Sequence, residues 1–596
     1  ALGNLPSQDD KAPSAEPTIY HYLGCSKPFS RLWISSLTDK AIRQGMENLK
    51  DGREYDNLYR SAKARSEADW LVGINASQAL CLSAGRGVFS LGRVQTPTLM
   101  MICNRYMENK NFTPQKYWQL RVQSGKADIT FSALSVDKYD RKDEADSNLQ
   151  KVCSAASLQV TAAEKKEVSQ EPPLLYDLTT LQKEANVRHS FSADKTLSIA
   201  QNLYEKKVMS YPRTGSRYIA DDVFEIIPER IRLLTAYPRF STYAATLVGR
   251  PLNNRSVNAS KVTDHHALLV TENLPGDLSA DERTIYEMVA ARMLESFSGK
   301  CIMEKTAVTL QSAGVAFSVR GSVIKVPGWR SVLNLSDEEE EGNTTLPELH
   351  EGDTLSIYNS EILDKQTKPR PLHTESSLLA AMESAGKELE NEEERRAMKE
   401  AGIGTPATRA AVIETLFSRD YIRREKKSLV PTEKGLAVHA IVKDKKIADI
   451  SMTGSWESAL AKIETGETDA DTFHRGIEVY AAQITTELLN ATVSLASSPD
   501  VPLCPKCKKG HVFIYNKIAK CSNVDCTLKV FRNICNKQLT DKQIMELITK
   551  GKTSVIKGLQ GKSGKSFDAA LVFDAQFNVT FSFPDKGTQS TAKKKK

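Results

Sequence analysis

Nowhere in the 596-residue chain do about 18 apolar residues run together, and the mean hydropathy is −0.39, so no membrane-spanning helix is expected. The opening ALGNLPSQDDKAPSAEP has no methionine and no charged stretch followed by an apolar one. A secretory leader is therefore not expected, and residues 1–18 read as a disordered lead-in to a processed or truncated piece working in the cytoplasm. A nucleotide-binding loop is also missing. GKSGKS tempts toward one, but a G-x4-G-K-[S/T] pattern ending at Gly564 needs glycine where Leu559 stands, and a hairpin turn between basic strands explains the glycines. Aromatic residues make up only 7% of the chain. Cysteine is scarce as well, with ten residues in all. Six of them (Cys25, Cys81, Cys103, Cys153, Cys301, Cys535) have no partner at motif distance and read as small apolar residues.

The composition, 40% hydrophobic and 26% charged, is that of a large globular protein, and the length suggests three to five domains. Its net charge of +7 is unevenly spread. Residues 501–596 hold 19 Lys and Arg against 6 Asp and Glu, so the excess basicity is C-terminal. A lysine-dense end closing on Lys593–Lys596 suits a polyanion partner, although the last four lysines alone read equally well as a solubilising tail. The remaining cysteines, Cys504, Cys507, Cys521 and Cys526, form C-x2-C, thirteen residues, then C-x4-C. Two such knuckles can converge on one tetrahedral Zn²⁺. After them, KQLTDKQIMELITKG has helical spacing behind a Thr540/Asp541 cap, and the rest alternates as paired strands.

Upstream, an acidic run at 336–345 interrupts strand-like segments and reads as an exposed loop. Residues from HTESSLLAAMESAG to SWESALAKIETGE are strongly helical. Within them AGIGTPATRA delivers a helix with Thr408 and Arg409 in its first turns, where backbone N–H groups, a hydroxyl and a guanidinium could hold a phosphate. RREKKSLVPTEKG follows as a basic wing, giving a winged-helix outline; an ordinary capped helix is the plainer alternative. In SLGRVQTPTL, Ser90, Arg93 and Gln95 precede a capped helix start and suit backbone contact with nucleic acid. Arg65 and Asp69 stand four apart on a helical face and, taken alone, read as a surface ion pair. In KVMSYPRTGSRYI, Tyr211 lies two residues before Arg213. A phenol is a poor nucleophile unless cations stabilise its phenolate or the developing phosphorane, and Arg213 supplies such a charge. His265 in KVTDHHALLV could add a donor. An isolated YPR triplet would otherwise read as a tyrosine packed beside a proline turn.

These segments are not isolated. PPLLYDLTTLQKEANVRHSFSADKTLSIAQNLYEKKVMSYPRTGSRYI, with RLWISSLTDKAI, ARSEADWLVGIN, SLGRVQTPTL, TDHHALLVT and AGIGTPATRA, resembles the type IA DNA topoisomerases, specifically their bacterial topoisomerase III branch. The motifs run in the family's order across roughly 19–466.

The resemblance implies a multidomain α+β protein with a toroidal core: a helical base, a β-rich arch and a tyrosine-bearing winged-helix-like domain. A C-terminal zinc ribbon and a small basic α+β module would follow. The helical base is expected from two segments, 19–110, which carries a Toprim remnant, and 367–498. The arch is expected at 111–177 and 304–366, and the tyrosine domain at 178–303. Beyond them come the zinc ribbon at 499–532, the basic module at 533–587 and a tail at 588–596.

It also implies ATP-independent cleavage of single-stranded DNA through a 5′-phosphotyrosyl link, then strand passage and religation, relaxing negative supercoils and decatenating DNA. Tyr211 would be the nucleophile, Arg213 the transition-state arginine and His265 a phosphate-holding donor. Arg65, Asp69, Ser90, Arg93 and Gln95 would line the single-strand groove, with Thr408 and Arg409 beside it. The protein would act as a nucleoid-associated monomer without ATP or membrane.

Two departures stand out. The family's N-terminal Toprim domain, whose carboxylates bind Mg²⁺, is reduced to a last helix in TIYHYLGCSKPFSRLW, and the one tempting D-x-D, Asp469 and Asp471, lies far downstream in a polar turn. Gly215 occupies a position where many relatives carry Asp. A topoisomerase whose Mg²⁺ ligands lie in a missing or separate Toprim-bearing chain, and a cleavage-incompetent single-strand-binding fragment, both remain open on the sequence.

Overall fold

The computed structural model describes residues 23–24, 27–34, 38–84, 88–334, 346–398, 402–491, 502–515, 518–523, 525–561 and 566–583. The expected lead-in at 1–18, the acidic run at 336–345, the centre of the GKSGKS turn and the basic tail lie outside those residues. Two compact units divide the chain, 1–494 and 495–596.

Strand alternation builds the centre of the first unit. CIMEKTAVTLQS and VAFSVRGSVIKV bury every second side chain over much of their length, the pattern of strands with one face on a core. Six such strands close into an antiparallel barrel. Going round it, Lys116–Lys126 pairs with Ile129–Ser135, then Val315–Val326, Cys301–Ser312, Ser157–Gln170 and Thr354–Gln366, which returns to the first. Closure leaves no strand edge unpaired. Leu120, Val122, Phe131, Leu158, Leu310 and Phe317 fill the interior.

Residues 171–300 form an insertion between two adjacent barrel strands, Ser157–Gln170 and Cys301–Ser312, whose last and first residues, Gln170 and Cys301, face each other in register. The insertion has its own core, in which Leu181, Ile199, Leu203, Ile227, Tyr286 and Leu294 meet. Its helices start where side chains cap them. Asp177 accepts from the Thr180 N–H (2.6 Å) ahead of Leu178–His189, Ser192 accepts from Lys195 N–H ahead of Ala193–Glu205, and Ser279 with Glu282 forms a capping box before Ala280–Ser296.

Both ends of the unit contribute to a helical base. The 29-residue helix Asp56–Ala84 buries the small side chains Ala64, Ala68, Val72 and Ala76. It packs against Ile450–Thr465 and Ala470–Leu489, and the Ser61 hydroxyl donates to Leu460 O at 2.9 Å. Helix Pro406–Ser418, the hairpin Ile422–Glu425/Ser428–Pro431 and helix Glu433–Val442 give the expected helix and wing. Of the segment expected as a Toprim-end helix, residues 18–22 and 25–26 lie outside the described ones, 23–24 form a turn, and 27–33 are not helical. Ser30–Arg31 pairs with Lys50–Asp51, and Pro28 ahead of it removes a helix donor. None of the described helices is long and apolar enough to cross a membrane.

In the second unit, strands Val512–Ile514, Ile518–Cys521 and Lys529–Phe531 form one antiparallel sheet, and Ile556–Gln560, Ser566–Phe573 and Val579–Ser582 another, with helix Asp541–Lys550 between them in sequence. One apolar cluster joins Cys504 and Cys521 to Val530, Ile544, Leu547 and Leu571, so the cysteine ribbon and the α+β module share a core.

Gly402 precedes the Pro406–Ser418 helix with φ +62°, and a Cβ there would sit 2.3 Å from Met382 O. Gly402→Ala is expected to destabilise the base by about 2 kcal/mol or more, from left-handed strain and the clash together. A thermal unfolding midpoint unchanged from that of the parent protein would contradict this.

Candidate nucleic-acid cleavage site

Tyr211 sits in a segment without regular structure whose backbone is nevertheless tied down on both sides. Met209 bridges Val270, Ser210 N–H donates to Leu269 O, and the Ser210 hydroxyl accepts from Leu269 N–H. Beyond the tyrosine, the Thr214 hydroxyl donates to His265 O at 2.9 Å, and Thr214 O accepts from Leu178 N–H. Ser216 donates to Lys261 O, and Ile219 exchanges backbone bonds with Ser256 and Asn258. Pinning both flanks fixes the phenol without burying it. Its ring is half-buried, 4.7 Å from the His265 ring and edge-on to Tyr204 at 5.3 Å. Sequence reading brought Tyr211 and His265 together correctly in space but missed Tyr204. Arg213 is half-buried two residues along. Burial holds the His265 imidazole below its ordinary value, and pushes that of His266, whose Nδ1 lies 2.7 Å from Ala267 O, down to about 4. Both imidazoles are neutral at pH 7.

The residues expected to line a groove form two sets on the base. In the first, the Tyr421 hydroxyl accepts from Ser90 N–H (2.8 Å) and donates to Ser90 O (3.0 Å), while Gln95 Nε2 donates to the Ser90 hydroxyl at 2.8 Å. The second is an ion network. Arg93 donates through Nε and Nη2 to the two oxygens of Asp69 (2.8 and 3.1 Å) and through Nη1 to Glu457 Oε1 (2.8 Å). Arg65 grips Glu457 with both Nη atoms, one of them at 2.7 Å from Oε2. The Arg93 guanidinium also lies 5.2 Å from the Trp456 ring centroid. Burial opposes the charge on Arg93, but Asp69 and Glu457 outweigh it and raise its pKa. So the Arg65 and Asp69 expected as an i,i+4 surface pair bond instead to Glu457 and Arg93, partners that packing of distant segments brings in. No spacing rule in the sequence pointed to Glu457.

Thr408 and Arg409 are placed differently from each other. Thr408 is exposed, and its hydroxyl accepts from Thr405 N–H in a capping box. Arg409 is 1% exposed, and burial lowers its pKa. It donates to Ile403 O and, across to the insertion, to the Thr179 hydroxyl at 3.0 Å. Other polar contacts join the insertion to helix Glu375–Ser384: Lys183 pairs with Glu383 at 2.7 Å, Ser376 N–H donates to Asn186 Oδ1, and the Ala193 N–H donates to Glu375 at 2.7 Å. Hydrogen bonds and ion pairs are thus part of the joint between the tyrosine-bearing insertion and the base, beside the packing of their helices.

Among the described residues the one cluster of three or more side chains able to hold a metal is Cys504, Cys507, Cys521 and Cys526. Sulfur pairs 504–526 and 507–521 are 3.7 and 3.6 Å apart, close to the roughly 3.8 Å of a tetrahedron with Zn–S bonds of about 2.3 Å. Backbone N–H groups of Gly510 and Lys509 pull the Cys507 thiol down to about 6, toward the thiolate a metal needs. Asp469 and Asp471 do not form an ion site: Asp469 caps helix Ala470–Leu489 by accepting from Asp471 and Thr472 N–H. No carboxylate cluster fitted to Mg²⁺ occurs among the described residues.

A family model described as DNA topoisomerase matches residues 53–475, and one described as the C-terminal repeat of topoisomerase matches 525–584. DNA topoisomerase 3 of Bacillus subtilis is 34% identical over 518 residues, covering 84% of this chain and 71% of that protein. DNA topoisomerase 3 of Bacillus licheniformis is 36% identical over 498 residues, covering 81% and 68%. Full-length topoisomerase I from Thermotoga maritima superposes with a TM-score of 0.60 at 23% identity, over 86% of this chain and 81% of that one. The fold is therefore the multidomain α+β fold expected from the motifs.

Two measurements test this description. The folded His266 titrates near 4 against 6.5 when free, so between those values the unfolded chain binds more protons. Stability should be full above about pH 6.5 and fall on acidification, by up to roughly 3 kcal/mol near pH 4, with His266→Asn flattening the dependence. Equal pH profiles for the two proteins would refute that. For the cysteine cluster, elemental analysis should find one zinc per chain. Chelation or Cys507→Ser should open residues 502–583 to protease, since structural zinc contributes roughly 10 kcal/mol to such a unit.

Proposed function

The chain belongs to the bacterial type IA DNA topoisomerases, in the topoisomerase III branch, and from that premise we propose that Tyr211 cuts and rejoins one strand of DNA. The observation that carries this is the fixed, half-buried phenol against His265 in a backbone segment pinned on both flanks. The phenolic oxygen bonds to phosphorus while the bond to the 3′-oxygen breaks. The phenol gives up its proton and the departing 3′-oxygen gains one. The phosphodiester energy is kept in the 5′-phosphotyrosyl bond, so reversal by the 3′-hydroxyl needs no nucleotide. Arg213 is proposed to offset charge on the phosphorane, and neutral His265 to donate a hydrogen bond to a phosphate oxygen. Arg65, Asp69, Ser90, Arg93 and Gln95 are proposed to border the groove for single-stranded DNA, with Thr408 at its rim. Arg409, buried against Thr179, is proposed to meet DNA only when the insertion separates from the base.

Mg²⁺ is the family's metal, and the described residues hold no carboxylate cluster that fits it. The four thiols fit Zn²⁺, which would act structurally. Action on DNA supports a place in the bacterial cytoplasm.

Covalent capture tests the assignment. The chain and Tyr211→Phe are incubated with single-stranded DNA labelled at either end, with and without Mg²⁺ and added Toprim domain, then denatured. The expected result is a denaturation-resistant complex that keeps only the label 3′ of the break and is lost by at least about a thousandfold in the variant. A complex that survives in Tyr211→Phe would move the nucleophile elsewhere, and none under any condition would leave a DNA-binding protein without cleavage.

A further inference from the structure

We infer that Glu457 is a positioning residue for the DNA strand, holding the guanidinium groups of Arg65 and Arg93 in place at the proposed groove; the inference rests on the reading above. An arginine side chain has roughly 2 kcal/mol of rotamer freedom to lose, so a phosphate meets it best where the protein has already fixed the fork. Glu457 does this for two arginines at once. Its Oε1 accepts from both Arg65 and Arg93 and its Oε2 from Arg65, although Arg65 lies 392 residues away in sequence.

The carboxylate is itself immobile. Helix Ile450–Thr465 buries Met452, Trp456, Leu460 and Ile463 on either side of it, the Thr453 hydroxyl donates to Arg93 O at 3.2 Å, and Ser61 bonds Leu460 O. The two carboxylates of the network differ in access. The Glu457 side chain is 9% exposed, that of Asp69 40%. An incoming phosphate can therefore replace Asp69 on the solvent side, while Glu457 stays as the anchor from which both guanidiniums are presented. Trp456, next in the chain, lies alongside the Arg93 plane and limits its rotation.

Glu457→Gln keeps the shape but removes the charge and one acceptor, so both arginines cannot be held. The test uses the full chain with a fluorescent oligothymidylate, measuring Kd over a salt series for the parent, Glu457→Gln, Glu457→Asp, Arg65→Ala and the Arg65→Ala/Glu457→Gln pair. Glu457→Gln is expected to raise Kd about tenfold and to flatten the slope of log Kd against log salt by about 0.7, one phosphate contact on a single strand. In the Arg65→Ala background the same change should cost markedly less, because Glu457 acts through Arg65. Glu457→Asp, which keeps the charge with a shorter reach, should lie between, and it carries the test if the glutamine variant does not fold. Unchanged Kd and slope with a lowered melting temperature would make Glu457 merely structural and overturn the inference, as would tighter binding. Failure of the parent chain to bind the oligonucleotide would instead overturn the groove reading itself.

Discussion

The tyrosine's freedom depends on one pairing, that of Gln170 with Cys301 at the ends of two adjacent barrel strands. Because the chain leaves and re-enters the barrel at neighbouring positions, the whole insertion hangs from one place. That place is stiff. Pro172 and Pro173 restrict the outgoing chain, and arginines of the insertion hold its carbonyls: Arg255 bonds Pro172 O, Arg292 bonds Leu174 O and Arg217 bonds Leu175 O. Lys300 and Glu171 pair across the two crossings at 2.6 Å. The insertion is therefore held firmly to the barrel at the one place where the chain leaves and returns.

The opposite side of the insertion carries polar contacts to the base. Its interior is apolar, and its contacts with the base include the polar ones of Arg409 to Thr179, Lys183 to Glu383, Glu375 to Ala193 and Asn186 to Ser376 beside the packing of helices. Thr38 and Lys40 add polar contacts to Asp222 and Glu225. Polar groups can exchange such partners for water at small net cost, whereas separating an apolar face would cost about 25 cal/mol for every Å² exposed. Water can also replace Thr179 around Arg409, whose burial opposes its charge.

What the sequence made legible was local. The tyrosine segment, the cysteine spacing, the capped helices and the basic wing each depend on residues within a few positions of one another. The ion network was not legible, since Glu457 and Arg65 meet only because helix Ile450–Thr465 packs on Asp56–Ala84. The same limit led Arg65 and Asp69 to be read as a pair with each other. Arg409 shows the same limit: its place in a helix's first turn suggests a phosphate ligand, and the insertion covering it could not be seen in the order of residues. Of the helix expected in TIYHYLGCSKPFSRLW, residues 18–22 and 25–26 lie outside the described ones, and from Pro28 to Trp33 the chain is not helical.

Neutral His265 follows from the same packing and bears on the chemistry. Its imidazole is desolvated beside the Tyr211 ring, so at pH 7 it brings a donor without a charge. A second full charge at that position would bind the phosphodiester in its ground state as well as in the transition state, which adds affinity without adding rate. In the proposed reaction a neutral donor would orient the phosphate while leaving charge compensation to a guanidinium, whose fork matches the phosphoryl oxygens. The division also suits a reaction that must run equally well in both directions, since an orienting donor serves attack by the phenol and by the 3′-hydroxyl alike.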